Sequence, residues 1–219
     1  MISIKNLYLS FTKEFDALHD INLEVEDGEK IALVGQTDSG KTMLLRVIAR
    51  LEKIKSGEVY IKNINLNKIN FKQDIQVAFV PKSFVFLNKK TVKENLEYVL
   101  KIRNFDSATI NVKVLNAMKN YGVESIQNLK IKDLSEYQKT LVEIARASLR
   151  KVELYLIDDI CDNLVASECN NVLSKLADLI QDNQQSTFVF AFSEEEFAKR
   201  LGLKVVKLKD GMIEEPEQN

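Results

Sequence analysis

Apolar and polar residues alternate through much of the first sixty positions, as in Ile2-Ser3-Ile4 and Ile21-Asn22-Leu23-Glu24-Val25, the second run ending at an Asp27-Gly28 turn. A period of two sends successive side chains to opposite faces, so this part of the chain predicts antiparallel sheet. Three short runs are apolar throughout: Ile31-Ala32-Leu33-Val34, Leu154-Tyr155-Leu156-Ile157 and Thr187-Phe188-Val189-Phe190-Ala191-Phe192. Unbroken hydrophobicity suits strands covered on both faces. Helical spacing follows the first run at Leu44, Leu45, Ile48 and Leu51, and the second at Leu173, Leu176, Ala177 and Ile180. Strand and helix alternating in this way predict a mostly parallel sheet with helical crossovers. From roughly Thr91 to Leu149 the period is helical, with Val92, Leu96, Val99 and Leu100 on one face and Leu141, Ile144, Ala145 and Ser148 on another. This stretch is expected to be a helical insert. No repeat or low-complexity linker divides the chain, and Pro81 and Pro216 mark no boundary, so one compact domain over 1–219 is expected, with the helical part at about 85–149.

Composition narrows the function. The 219 residues are 45% hydrophobic, enough for a substantial core. With 31 basic and 32 acidic groups the formal charge is −1, so no overall field draws the chain onto nucleic acid, and none is expected as a partner. Cys161 and Cys169 have no metal-like spacing and His19 is the only histidine, which predicts reduced thiols and no zinc site. No basic segment followed by an apolar run opens the chain and no run of about 18 apolar residues occurs, so any membrane role goes through a partner. Glu194-Glu195-Glu196 and the tail Glu214-Glu215-Pro216-Glu217 read most simply as solvated surface.

The chemistry is concentrated in Gly35-Gln36-Thr37-Asp38-Ser39-Gly40-Lys41-Thr42, which fits G-x-x-x-x-G-K-[ST] at every fixed position. An apolar strand precedes it and an amphipathic helix follows. This context lets backbone N–H groups curl round phosphates at a helix N-terminus, where the macrodipole favours anions. Lys41 is expected to bridge the β- and γ-phosphates and Thr42 to offer its hydroxyl to Mg²⁺, while Gly35 and Gly40 allow close backbone approach. The bland alternative is a strand-to-helix turn with an incidental lysine. A second acidic site is expected at a strand end, and Leu154-Tyr155-Leu156-Ile157-Asp158-Asp159 supplies it: Asp158 for Mg²⁺ and Asp159 to polarise the attacking water. A solvated strand end is the alternative reading of that pair.

Further landmarks agree in order and spacing: Ala17-Leu18-His19-Asp20-Ile21-Asn22-Leu23 leading to Asp27-Gly28-Glu29, Ser56-Gly57-Glu58-Val59, Thr91-Val92-Lys93-Glu94-Asn95-Leu96, Leu134-Ser135-Glu136-Tyr137-Gln138 with Ile144-Ala145-Arg146-Ala147 behind it, and Lys209-Asp210-Gly211-Met212-Ile213. From Ile2 to about Glu214 the chain resembles the ATP-binding subunits of ABC transporters. The resemblance implies an α/β P-loop NTPase (RecA-like) core with an antiparallel N-terminal β-subdomain and an inserted helical subdomain. It also implies Mg-ATP as cofactor, a second ATP-binding subunit as homo- or heterodimer partner, and an integral membrane permease that holds the protein at the cytoplasmic face. Ser135 would then face the γ-phosphate bound by the other protomer, and Phe11 would stack on adenine, with Phe15 a weaker candidate and core packing open for both.

The same resemblance exposes departures. Glu136 and Tyr137 replace the two glycines of the family's L-S-G-G-Q, adding bulk and a negative charge that at ~4 Å costs about 1–4 kcal/mol against phosphate. The position of the family's Q-loop glutamine falls on Lys82, a donor with no acceptor. Its switch histidine falls on Ser193, its catalytic glutamate on Asp159, and its D-loop stretch on Asn163-Leu164-Val165. Asp38 stands where many relatives have another glycine, and aspartate tolerates unusual backbone angles. A base displaced by about 1 Å loses on the order of 10²-fold in rate, so slow hydrolysis is expected. Two functions follow: an ATPase subunit powering transport, or a nucleotide-binding module that barely hydrolyses ATP and forms the degenerate or regulatory half of an asymmetric pair. A soluble family member acting away from membranes ranks behind both, because two ATP domains or long insertions are missing.

Overall fold

The computed structural model describes residues 1–10, 16–71 and 74–214. They divide into two compact units, one of Met1–Phe79, Val152–Ile160 and Asn183–Asn219, the other of Val80–Lys151 and Cys161–Asp182.

The first unit holds two sheets. Strands β1 (Ile2–Ser10), β2 (Asp16–Val25), β4 (Ser56–Ile61) and β5 (Ile64–Asn65) form an antiparallel sheet in the order β2-β1-β4-β5. The alternating N-terminal pattern predicted this, and Ile2, Ile4, Leu7 and Leu9 are its buried row. The second sheet has the order β10-β9-β3-β8-β7-β6, built from β3 (Lys30–Val34), β6 (Val77–Val80), β7 (Leu154–Asp158), β8 (Thr187–Phe192), β9 (Lys204–Lys209) and β10 (Met212–Ile213). β7, β8, β3 and β9 run parallel, and β10 closes an antiparallel hairpin on β9. The three apolar runs are the three central strands, and every residue of β7 and β8 is buried. On β8, Val189 and Ala191 join a core with Leu33, Leu44, Leu45, Ile48, Leu154 and Leu156. The opposite face of β8 is aromatic: Phe188, Phe190 and Phe192 stack in file, with Tyr155 on Phe188 at 4.5 Å and Phe197 of helix α6 (Glu195–Arg200) edge-on to Phe192. Helix α1 (Lys41–Ile48) follows β3, but it ends before Leu51, which is exposed rather than part of the expected apolar face.

The second unit is helical: α2 (Val92–Lys101), α3 (Ser107–Asn120), α4 (Glu136–Ser148) and α5 (Ala166–Asp182). The Thr91…Leu96 motif is explained by local geometry. Thr91 Oγ1 accepts from Glu94 N, Glu94 Oε2 accepts from Thr91 N, and buried Asn95 pins the preceding loop by accepting from Leu87 N and donating to Leu87 O. The apolar faces were read with small errors. Val99 is only half-buried, and on α5 the buried stripe is Cys169, Val172, Leu173, Leu176 and Leu179, so Ala177 is exposed and Ile180 half-buried. Leucine, Val172 and Cys169 outcompete a small alanine for the covered face because burial scales with apolar area.

Candidate functional site

The phosphate-loop sequence lies where β3 passes into α1. Val34 ends the strand; Gly35 N donates to Phe192 O, Ser39 N to Gln36 O, and the helix begins after Gly40. Two residues take left-handed backbone, Asp38 at φ 67° and Gly40 at φ 101°. A Cβ on Gly40 would sit 2.9 Å from Leu18 Cδ2 and 3.1 Å from Ala17 O. Gly35 is required for space: a Cβ there would lie 2.1 Å from Leu208 O and 2.6 Å from Ser39 Oγ.

The start of α1 differs from those of α2, α3 and α4. Helices α2, α3 and α4 have side-chain caps from Thr91, Asp106 and Ser135, whereas α1 has no side-chain cap and no acidic residue in its first turn. Its leading N–H groups and positive dipole end therefore meet no protein carboxylate of their own first turn, the condition for receiving an anion. Lys41 is buried, and its Nζ donates to Gly35 O (2.7 Å), Gln36 O (2.8 Å) and Ser39 Oγ (3.3 Å), folding the ammonium into the concavity of its own loop. Gln36, Thr37 and Asp38 are exposed at the rim.

Across from the loop, β7 ends in Asp158 and Asp159 follows it, the two expected aspartates, both buried. Thr42 Oγ1 donates to Asp158 Oδ1 at 2.9 Å, joining residues 116 positions apart. A hydroxyl and a carboxylate at this distance form a hard, all-oxygen donor pair suited to Mg²⁺, which binds through one or two protein oxygens and keeps water and phosphate for the rest. Among the described residues no group of three or more His, Cys, Asp or Glu could hold a metal ion, so a cation here would rely on such a sparse set. Asp159 has left-handed backbone (φ 42°); its N donates to Ala191 O at 3.0 Å, and its Oδ2 accepts from Ser193 Oγ at 2.8 Å.

Ser135, Glu136 and Lys82 belong to the helical unit. Ser135 is the exposed N-cap of α4 in a reciprocal capping box: its Oγ accepts from Gln138 N and Gln138 Oε1 accepts from Ser135 N. Glu136 is exposed and its carboxylate is held by Lys139 at 2.7 Å, so part of the negative charge that replaces a glycine is neutralised along the helix. Lys82 forms an ion pair with Asp162 at 2.6 Å. Phe11 and Phe15 lie outside the described residues. The Ser193–Asp159 and Lys82–Asp162 contacts were not foreseen. Each joins residues far apart in the chain, and only the resemblance drew attention to positions 82 and 193. No helix among the described residues is long and apolar enough to cross a membrane.

Comparison with known proteins agrees with this geometry. The family model described as "ABC transporter" matches residues 18–162, more than half of the chain. The osmoprotective compounds uptake ATP-binding protein GgtA of Synechocystis sp. is 30% identical over 210 residues, covering 93% of this chain and 56% of GgtA. The sn-glycerol-3-phosphate import ATP-binding protein UgpC of Bartonella bacilliformis is 31% identical over 214 residues, covering 98% of this chain and 61% of UgpC. The chain thus spans a little over half the length of these curated relatives. Among solved structures, a dimeric post-hydrolysis state of the ATP-binding cassette MJ0796 bound to ADP and Pi superposes with a TM-score of 0.86 at 26% identity, covering 100% of this chain and 98% of that one. With the glycine loop between a buried strand and an uncapped helix, and the aspartate pair at the end of β7, these matches establish that the chain belongs to the ABC transporter family, as a nucleotide-binding domain with the P-loop NTPase fold.

Proposed function

We propose that this domain binds Mg-ATP on the 35–42 loop and, paired with a second ATP-binding subunit, couples ATP binding and slow hydrolysis to a membrane permease, working at the cytoplasmic face as one ATP-binding domain over 1–219. The observation that carries the reading is the uncapped start of α1 with buried Lys41 curled into the loop and Thr42 bonded to Asp158. The backbone N–H groups of Gly35, Gln36, Thr37, Asp38, Ser39 and Gly40 wrap the phosphate chain, and Lys41 exchanges acceptors of its own loop for β- and γ-phosphate oxygens. Thr42 and Asp158 hold Mg²⁺, which when bound supplies positive charge against the phosphate oxygens. Asp159 accepts the proton of the attacking water while the water oxygen bonds to the γ-phosphorus and the bond to the β–γ bridging oxygen breaks. Ser135 serves the ATP held by the partner subunit and Phe11 stacks on adenine, both on the strength of family resemblance.

Slow turnover follows from the short Asp159 side chain, the Glu136-Tyr137 pair, and the engagement of Lys82 with Asp162. The last contact also favours the second reading, a weakly hydrolysing partner in an asymmetric pair, because a lysine tied to Asp162 offers no acceptor to a cation. Two measurements test these readings. ATP at about 100 times Kd adds about 2.7 kcal/mol of stability, roughly 5–10 °C in Tm for a domain of this size, and Lys41→Ala is expected to remove that gain. An unchanged gain in the variant refutes nucleotide binding at this loop. Steady-state phosphate release above the Lys41→Ala background supports the transport ATPase; equality with that background, with ATP binding retained, favours the second reading for the isolated protein.

A further inference from the structure

We infer that Ser193 is a positioning residue for Asp159, fixing the carboxylate that receives the water proton, and that it takes no part in holding the nucleotide. The inference rests on the hydrolytic reading above and concerns how this chain's short base is aimed.

Asp159 is the first residue past β7 and Ser193 the first past β8, and these strands pair in parallel with Asp158 opposite Ala191. The sheet therefore delivers the two side chains to the same edge. Asp159 is anchored to this edge twice, by its N–H on Ala191 O at 3.0 Å and by its Oδ2 on the Ser193 hydroxyl at 2.8 Å. Asp159 has left-handed backbone at φ 42°, a conformation that aspartate tolerates because its short polar side chain can bond locally. The serine hydroxyl has a single proton. Because that proton goes to Asp159, Ser193 has only lone pairs left to present, and lone pairs do not attract a phosphate oxygen. Its contribution is thus to the direction of the base. Burial adds to the effect: Asp159 is 7% exposed, so little water competes with the serine hydroxyl for its carboxylate. Ser193 itself is exposed, which leaves room for a methyl group beside its hydroxyl.

Four proteins decide the matter: wild type, Ser193→Ala, Ser193→Thr and Asp159→Asn, with Lys41→Ala as background and Ser193→Ala/Asp159→Asn to close a double-mutant cycle. Steady-state phosphate release and ATP-dependent thermal stabilisation are measured on each. A hydrogen bond to a charged group that aims the base corresponds to about a tenfold lower kcat in Ser193→Ala, with KM and ATP stabilisation unchanged. Ser193→Thr is expected to restore kcat to within about twofold of wild type, because the donor is kept. In the Asp159→Asn background the Ser193→Ala substitution is expected to have no further effect on kcat, since it acts only through the carboxylate. A merely structural serine would lower kcat in both backgrounds, which overturns the inference. Equal kcat for wild type and Ser193→Ala, with wild type well above Lys41→Ala, also overturns it while leaving the hydrolytic reading intact. Weakened ATP stabilisation in Ser193→Ala would make the serine a nucleotide ligand and overturn it too. Wild-type release equal to that of Lys41→Ala overturns the hydrolytic reading and this one with it.

Discussion

Replacing Arg146 by alanine tests the electrostatics of the helical unit most sharply. Arg146 on α4 performs three tasks at once. Its Nη2 donates to Glu143 Oε1 at 2.7 Å, its Nη1 donates to Val85 O at 2.7 Å, and its guanidinium lies 4.7 Å over the Phe86 ring. Glu143 is 2% exposed; Nη2 is also 2.7 Å from its Oε2, but that oxygen receives no hydrogen bond. Burial pushes the Glu143 carboxyl above its ordinary 4.5, and Arg146 alone opposes the rise through its charge and its hydrogen bond. With Arg146 gone, the carboxyl stays charged at high cost or takes up a proton. A group whose folded pKa is raised gives stability that is fully present below its unfolded pKa and lost as pH rises through the folded one. Arg146→Ala removes the group that opposes this rise, so the variant's loss of stability is expected to grow as pH climbs above the ordinary carboxylate range. Removing one partner of a buried ion pair costs about 3–5 kcal/mol, the size expected for the deficit at the higher pH. Urea unfolding of wild type and Arg146→Ala at pH 5.5 and 7.5, taken as differences so that other titrating groups cancel, should give a larger deficit at pH 7.5 than at pH 5.5. Adding Glu143→Gln should abolish that growth. A deficit equal at both pH values, or growth that survives Glu143→Gln, would refute the assignment of the cost to this carboxyl.

Three further outcomes are expected. Gly35→Ala forces its Cβ against Leu208 O, so the loop or β9 must shift; a loss of about 1–3 kcal/mol in urea unfolding and of ATP-dependent thermal stabilisation is expected, and a variant that keeps both contradicts the steric account. Ser135→Ala removes the α4 cap and should cost about 1 kcal/mol in the isolated protein without ATP, measured by chemical unfolding. Lys82→Ala breaks an ion pair whose two side chains are each 38% exposed, so a change within about 1 kcal/mol is expected, shrinking further in 0.5 M salt; a loss well above that would mean the pair is far better shielded than its exposure indicates.

Much of this protein can be read directly from its order of residues. The Gly35–Thr42 loop, the three strands buried on both faces and the aspartates after Leu154-Tyr155-Leu156-Ile157 are local patterns. Each needs only a few consecutive side chains to declare itself, because strand burial, helix initiation and phosphate binding by backbone amides are short-range requirements. The helix faces were legible less well, as Ala177 and Leu51 demonstrate: periodicity fixes that a face is apolar, but the packing partner decides which residues it covers. The contacts among the candidate site residues were hidden for a different reason. Thr42 with Asp158, Asp159 with Ser193, and Gly35 beneath Leu208 O join residues separated by 116, 34 and well over a hundred positions. Those neighbours exist because β8 is inserted between β3 and β7 and β9 lies on the other side of β3, an order that hydrophobic pattern cannot encode. The sequence determined which groups could meet a phosphate; the strand order decided which of them meet each other, since hydrogen bonds act over about 3 Å and only the folded sheet brings distant residues that close.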